Sequence, residues 1–265
     1  MGVPFDHMAT SYDSVFTNSA IGQLQRNHVW KYIESIMPQL NGIDMLELNC
    51  GTGEDAMLFS DRGFNIIATD ISEEMLKVTQ QKVQQYSMQH RVSSQYLDLE
   101  SFSETSFNKK FDLIFSNFGG LNCINPQSLQ TLLKKLPLAL NKGGRFIAVI
   151  MPKHCLWESA YFLAKFSFSK AFRRWTNQEV FTDLQGIPTY TWYYSPGQVI
   201  QWSNADFIPV RHKPIGFALP PSYLEPFFAK RSRWLRHLDK VEKRLNKLPF
   251  LARFSDHYLL DIQLK

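Results

Sequence analysis

Three acidic side chains stand where strands of this sequence end, beside one glycine-bearing turn. Glu47 lies in "DMLEL", Asp70 closes "NIIATD", and Asp98 sits in "YLDLE". Between the first two runs "NCGTGEDA", which fits G-x-G-x-x-A, the dinucleotide pattern. Gly51 and Gly53 carry no Cβ, so the backbone there can approach a ligand closely, and the helix that follows offers free N–H groups. A carboxylate at Asp70 suits two ribose hydroxyls. One at Asp98 suits an adenine amino group, and Glu47 suits a cationic or amino group. Asn117 and Gly119–Gly120 follow a fourth apolar run. Each acid alone reads as a cap or turn residue. Three at successive strand ends beside one glycine turn read as a nucleoside site.

The elements that must position these residues follow from hydrophobic period. Residues 19–37 read as a helix, with Ile21, Leu24, His28 and Tyr32 on one face. Strands are expected at 44–48, 65–70, 93–100, 111–118 and 143–151. Helices fall between them at "GEDAMLFSDRG", "SEEMLKVTQQKVQQYSM" and "SLQTLLKKLPLALN". Ser72 is placed to cap the second of these, with Glu73 and Glu74 in its first turn. Such alternation is the signature of a doubly wound parallel sheet. Beyond Pro152 the pattern changes. Trp157, Tyr161, Ala164, Phe168, Phe172 and Trp175 form an aromatic stripe at helical spacing, and "EVFTDLQGIPTYTWYYSP" reads as paired short strands. A short helix capped by Ser195, an extended run at 207–217, and a basic helix with Leu238, Val241, Leu245 and Leu248 as its apolar seam come next. "HYLLDIQLK" closes the chain as a strand. The domain reading is a core of 1–151 and 195–265, with residues 1–40 covering the ligand, and a cap insertion at 152–194.

With those residues in place, the chain resembles the class I S-adenosylmethionine-dependent methyltransferases, of the small-molecule type. "LELNCGTG" is similar to the family's first motif, "ATDISEEML" to its second and "YLDLE" to the adenine-binding motif. "FDLIFSNFGGLNCI" is similar to the fourth strand and active-site edge, and "LNKGGRFIAVI" to the segment leading through the fifth strand. "FDHMATSYDSVF" resembles the segment that folds over the cofactor in many members. Asn49 stands where the family has its first glycine, and asparagine tolerates positive φ better than most residues. The resemblance implies a Rossmann-like seven-stranded α/β sheet whose last strand is antiparallel, and S-adenosyl-L-methionine as cofactor. It implies cofactor contacts from Tyr12, Glu47, Asn49, Cys50, Gly51, Gly53, Asp70, Ile71, Asp98, Leu99 and Asn117.

Methyl transfer from a sulfonium is an in-line displacement in which alignment dominates and a base is optional. Candidate catalytic residues are His154, after the fifth strand, His28, and Tyr12. No metal is expected, and Cys50, Cys123 and Cys155 lack the spacing of a disulfide framework or zinc site. Cysteine usage points to a reducing cytoplasm, and no apolar run is long enough to span a membrane. The aromatic cap region, with Lys165, Lys170, Arg173 and Arg174, suits a hydrophobic aromatic or lipid-like small-molecule acceptor, methylated on oxygen. Between Lys230 and Arg253 nine Lys and Arg face only Asp239 and Glu242. That segment suggests a carrier protein or another anionic surface as a docking partner. Two readings compete: a methyltransferase acting on RNA or protein, and a non-catalytic binding protein on the same fold. "SNFGGLNCI" lacks the N/D-P-P-Y/F pattern of enzymes that methylate nucleobase amino groups, so a nucleic-acid partner is not expected. A nicotinamide enzyme is a further, minor alternative.

Overall fold

The computed structural model describes residues 5–184 and 187–265. A seven-stranded sheet runs in the order β3 (Val92–Tyr96), β2 (Asn65–Asp70), β1 (Asp44–Glu47), β4 (Phe111–Ser116), β5 (Leu140–Ile150), β9 (His257–Leu264) and β8 (Phe207–Ile215). The first five strands are parallel, and β9 is antiparallel to both β5 and β8. Strand order reverses between β1 and β4. That is where an open α/β sheet leaves a crevice beyond its strand ends.

Alternation along the strands sends side chains to opposite faces. Leu46, Ile114, Phe146 and Ala148 join one core with α4 (Pro126–Ala139) and α7 (Pro196–Ser203). Met45, Phe115, Ile147 and Val149 join the other, with α1 (Ala20–Ile36), α2 (Glu54–Asp61) and α3 (Glu73–Gln85). Burial on both faces explains why β1, β4 and β5 read as continuous apolar runs. Ser72 caps α3 as expected, its side chain accepting from the Met75 N–H.

The aromatic stripe does not form one helix. It breaks into α5 (Leu156–Ala164) and α6 (Phe168–Ala171), with Phe166 in the left-handed region at φ +54°. Ion pairing accounts for the reversal. Glu158 on α5 receives Arg173 Nε at 2.7 Å and Arg174 Nη2 at 2.9 Å. A continuous helix would hold residues 158 and 174 about 24 Å apart. Arg174 also reaches Asp256 Oδ1 at 3.0 Å, and tethers the segment to the start of β9. The expected hairpin is present as β6 (Val180–Leu184) and β7 (Ile187–Thr191); its turn at Gln185 and Gly186 lies outside the described residues. Ser195 holds the N-cap position of α7 but its side chain makes no capping bond.

The basic segment comprises α8 (Glu225–Phe228) and α9 (Ser232–Leu245). Its seam differs from the expected one. Leu235 and Leu238 face a small cluster with Ile21, Leu224 and Phe228, while Leu248 is exposed. The fully buried residue is Glu242. Its carboxylate accepts from the N–H groups of Gly216, Phe217, Ala218 and Leu219, at 2.6–3.3 Å. Those donors leave β8 through Gly216 at φ +73° and have no strand partner. A buried N–H without an acceptor is costly, so the turn recruits a carboxylate. Glu242→Gln removes one of the two acceptor oxygens and is expected to lower stability by about 2 kcal/mol in denaturant unfolding. An unchanged midpoint would show that the carboxylate does not hold this turn.

Candidate functional site

The strand ends do converge. A cavity of about 450 Å³ opens beyond the C-terminal ends of β1, β2 and β4, within the range of small-molecule sites. Tyr12, Asn49, Cys50, Gly51, Asp70, Ile71, Asp98, Leu99 and Asn117 all line it.

The turn after β1 is built from two glycines with different jobs. Gly51 has φ +54°, and a Cβ there would meet nothing within 4 Å, so its bare backbone faces open space. Gly53, at φ +77°, faces the protein instead. A Cβ on it would meet the Thr79 side chain at 2.7 Å, so this glycine lets α2 pack against α3 and does not line the cavity.

Asn49 is not in a positive-φ conformation. It serves by hydrogen bonding: Nδ2 donates to the Asn117 carbonyl at 2.8 Å, and Oδ1 accepts from Ser116. A Cβ on Gly120 would lie 2.2 Å from the Asn49 side chain. The asparagine therefore joins the β1 turn to the β4 turn, in space that Gly120 leaves free.

Asp70 is held by the turn it faces. One carboxylate oxygen accepts from Gly51 N–H at 2.8 Å, the other from Ser72 N–H at 2.9 Å. Burial raises its pKa, opposed by those backbone donors. Asp98 stands two residues beyond β3, not within it. It caps the turn Leu99–Ser101 by accepting from Glu100 N–H at 2.9 Å.

Glu47 lies under the cavity floor, off its lining, fully buried and with neither carboxylate oxygen partnered. Burial pushes its pKa well up, and the nearby charges of Asp55 and Asp70 add to that, against Arg26. An orphaned carboxyl of this kind is expensive to keep unless a cation or donor completes it.

A second polar cluster escaped the sequence reading. Asp55, in the first turn of α2, accepts from Arg26 Nη1 at 2.6 Å, Trp30 Nε1 at 2.6 Å and Asn117 Nδ2 at 2.9 Å. The Arg26 guanidinium then lies over the Phe118 ring at 5.1 Å. Phe118 itself sits at φ +40°, an uncommon conformation for an aromatic residue. Arg26, Asp55 and Phe118 line the cavity, as do Tyr190 and Trp192 from the β7 end of the hairpin. The only sequence trace of the cluster is the i, i+4 spacing of Arg26 and Trp30 on α1.

The N-terminal segment lies across the same opening. Phe5 and Tyr12 line the cavity, and Asp13 is fixed by Thr52 Oγ1 and Lys82 Nζ, each at 2.6 Å. Burial raises the Tyr12 pKa, so its phenol is protonated at neutral pH. Residues 1–4 lie outside the described residues.

The two histidines lie elsewhere. His28 Nε2 meets Asp239 Oδ1 at 2.8 Å and its Nδ1 meets Asn246, so it bridges α1 to α9. The His154 ring packs against Trp175 and Phe254, with Nδ1 buried and unpartnered. Neither lines the cavity. Burial lowers both pKa values.

A model of the methyltransferase domain family matches residues 45–144, which span β1 through the start of β5. The protein YqeM of Bacillus subtilis (strain 168), provisionally named a methyltransferase, is 30 % identical over 128 residues, 47 % of this chain and 45 % of that protein. A demethylmenaquinone methyltransferase of Paenarthrobacter aurescens (strain TC1) is 26 % identical over 160 residues, 59 % of this chain and 58 % of that protein. The chain spans about half the length of these curated relatives. Among solved structures, the CcbJ methyltransferase of Streptomyces caelestis shares the fold with a TM-score of 0.65 at 13 % identity, covering 99 % of this chain and 98 % of that one.

Proposed function

We propose that this chain, a member of the class I S-adenosylmethionine-dependent methyltransferases, transfers a methyl group to an oxygen of a hydrophobic small molecule. The observation that carries the reading is one cavity lined by carboxylates and aromatic rings together. Asp70 and Asp98 line it, with the orphaned Glu47 beneath; Tyr12, Phe118, Tyr190 and Trp192 supply aromatic faces.

The polar groups fit the cofactor on three counts. Gly51 leaves room for a nucleoside against bare backbone. Asp70, aimed by two N–H groups, has lone pairs left for a pair of sugar hydroxyls. Glu47, buried just beneath the lining with no partner, would favour a cation above it, and the amino-acid end of the cofactor carries an ammonium. When bound, S-adenosylmethionine supplies an electrophilic methyl group on a sulfonium. The chain's own residues supply position and dryness. Tyr12 and Phe118 close the opening against water, and Tyr190 and Trp192 offer flat apolar faces to an acceptor. Alignment of this kind is worth roughly 7–11 kcal/mol in favourable cases.

Oxygen is favoured as the nucleophile because the bases on the lining are carboxylates such as Asp55 and Asp98, which are weak. Among the described residues, neither histidine nor lysine borders the cavity. A phenol or enol ionises without a strong base, whereas a protonated amine needs one. The quinone in the name of the Paenarthrobacter relative is consistent with an aromatic acceptor. The test is a mass-spectrometric screen with methyl-labelled S-adenosylmethionine against phenols, quinols and hydroxylated lipids. One labelled methyl group on an oxygen of an apolar compound is the expected product. Labelling confined to peptide or RNA, or on none of the compounds, would contradict the reading.

A further inference from the structure

We propose that the outer face of α8 and α9 is a docking surface for an anionic phospholipid bilayer. In the sequence, Asp239 and Glu242 are the two acids that interleave its cations. The fold commits both acids to partners. Glu242 is fully buried and spent on four backbone N–H groups. Asp239 is spent on His28 and Lys243. Among the described residues, Lys230, Arg231, Arg233, Arg236, Lys240, Arg244 and Lys247 have no carboxylate partner, and all are exposed.

Their spacing concentrates that charge. Arg233, Arg236, Lys240 and Arg244 recur every three or four residues of α9, which places them on one helical face, and Lys247 follows just past its end. Arg233, Arg236, His237 and Lys240 enclose a surface hollow of about 360 Å³. Four to eight such cations on an amphipathic helix are the pattern that anionic headgroups recognise.

Apolar side chains beside the stripe select a bilayer over other anions. Phe227, Trp234 and Phe250 are exposed by 53, 67 and 62 %, and Leu248 by 40 %. The Arg231 guanidinium covers the Phe227 ring at 3.8 Å. These residues flank the cationic face; they do not interleave with it. Interleaving is what stacking on successive nucleic-acid bases requires. A cationic face edged by Trp, Phe and Leu fits a helix lying in the plane of a membrane interface. The apolar layer continues inward, since Trp157 and Tyr161 of α5 share a cluster with Phe228, Leu235 and Leu238. No helix among the described residues is long and apolar enough to cross a membrane, so the contact is peripheral.

Sedimentation of sucrose-loaded vesicles with the purified full chain tests this, with phosphatidylcholine alone compared against phosphatidylcholine carrying about 30 % phosphatidylglycerol. Binding to the second and not the first is expected, and its loss in about 1 M salt, where screening shortens to about 3 Å. The quadruple variant R233Q/R236Q/K240Q/R244Q should weaken partitioning by at least about 100-fold. All four residues are exposed, and thermal unfolding reports whether the variant is intact. The pair F227A/W234A, tested separately, should cost roughly tenfold. Equal binding to both vesicles, binding to neither, or unaltered partitioning of the quadruple variant would overturn the proposal. So would capture of single-stranded RNA with no vesicle binding. Asp70→Ala should bind vesicles normally, so failure here is distinguishable from failure of the methyl-transfer reading.

Discussion

Asp70→Ala is expected to raise the dissociation constant for S-adenosylmethionine by about 100-fold or more, measured by titration calorimetry. Two losses combine. A carboxylate that accepts from a pair of sugar hydroxyls makes charge-assisted bonds worth about 1.5–3 kcal/mol each. The same carboxylate fixes Gly51 and Ser72 through their N–H groups, so its removal also loosens the turn the ligand lies against. Asp70→Asn separates the two effects. It keeps an acceptor oxygen for one of those N–H groups and loses the charge, and an intermediate constant is expected. An Asp70→Ala protein that binds the cofactor as tightly as the unaltered chain would remove Asp70 from the site.

Glu47→Gln is expected to make the ligand-free protein more stable and the cofactor weaker. In the folded chain the Glu47 pKa is well above its ordinary value, from burial first and from neighbouring Asp55 and Asp70 second. The folded state then holds a proton that the unfolded state has released. Stability from this group is present below the ordinary carboxyl pKa and declines as pH rises toward the raised value, by at most about 1.4 kcal/mol per pH unit. The glutamine variant should lose that slope in denaturant unfolding across weakly acidic to neutral pH. Saturating S-adenosylmethionine should flatten the slope in the unaltered protein too, because an ammonium beside Glu47 favours its charged form. Affinity should fall by roughly tenfold or more in the variant, as an amide replaces a carboxylate opposite a cation. An unaltered slope in Glu47→Gln would place the proton on another group.

The centre of the sheet was legible because β1, β4 and β5 are buried on both faces and write long apolar runs, while glycine and serine mark the turns between them. Asp70 and Asp98 were legible at the cavity for a related reason: in a parallel sheet, strand ends lie side by side, so residues at or just past successive ends come together, whereas Glu47, inside its strand, lies off the lining. Contacts between distant segments left no such trace. Arg26 and Trp30 reach Asp55 only because α1 packs beside α2. Glu242 has the same letters around it whether it faces water or the turn at 216–219, and its partners are backbone N–H groups, which carry no side-chain signature. His28 sits at helical spacing on a buried face, but its partner is Asp239, so proximity to the first strand did not bring it to the cavity. The aromatic stripe kept helical period across Phe166, where the chain turns back to pair Glu158 with Arg174.

The account rests on one claim: the β1 turn and the ends of β2 and β3 hold a single nucleoside sulfonium. Amide chemical-shift mapping of the labelled chain during titration with S-adenosylmethionine tests it most directly. The N–H signals of Gly51, Ile71 and Leu99 should move together and saturate with one dissociation constant. Signals that stay still at millimolar cofactor, or that saturate at separate concentrations, would contradict it.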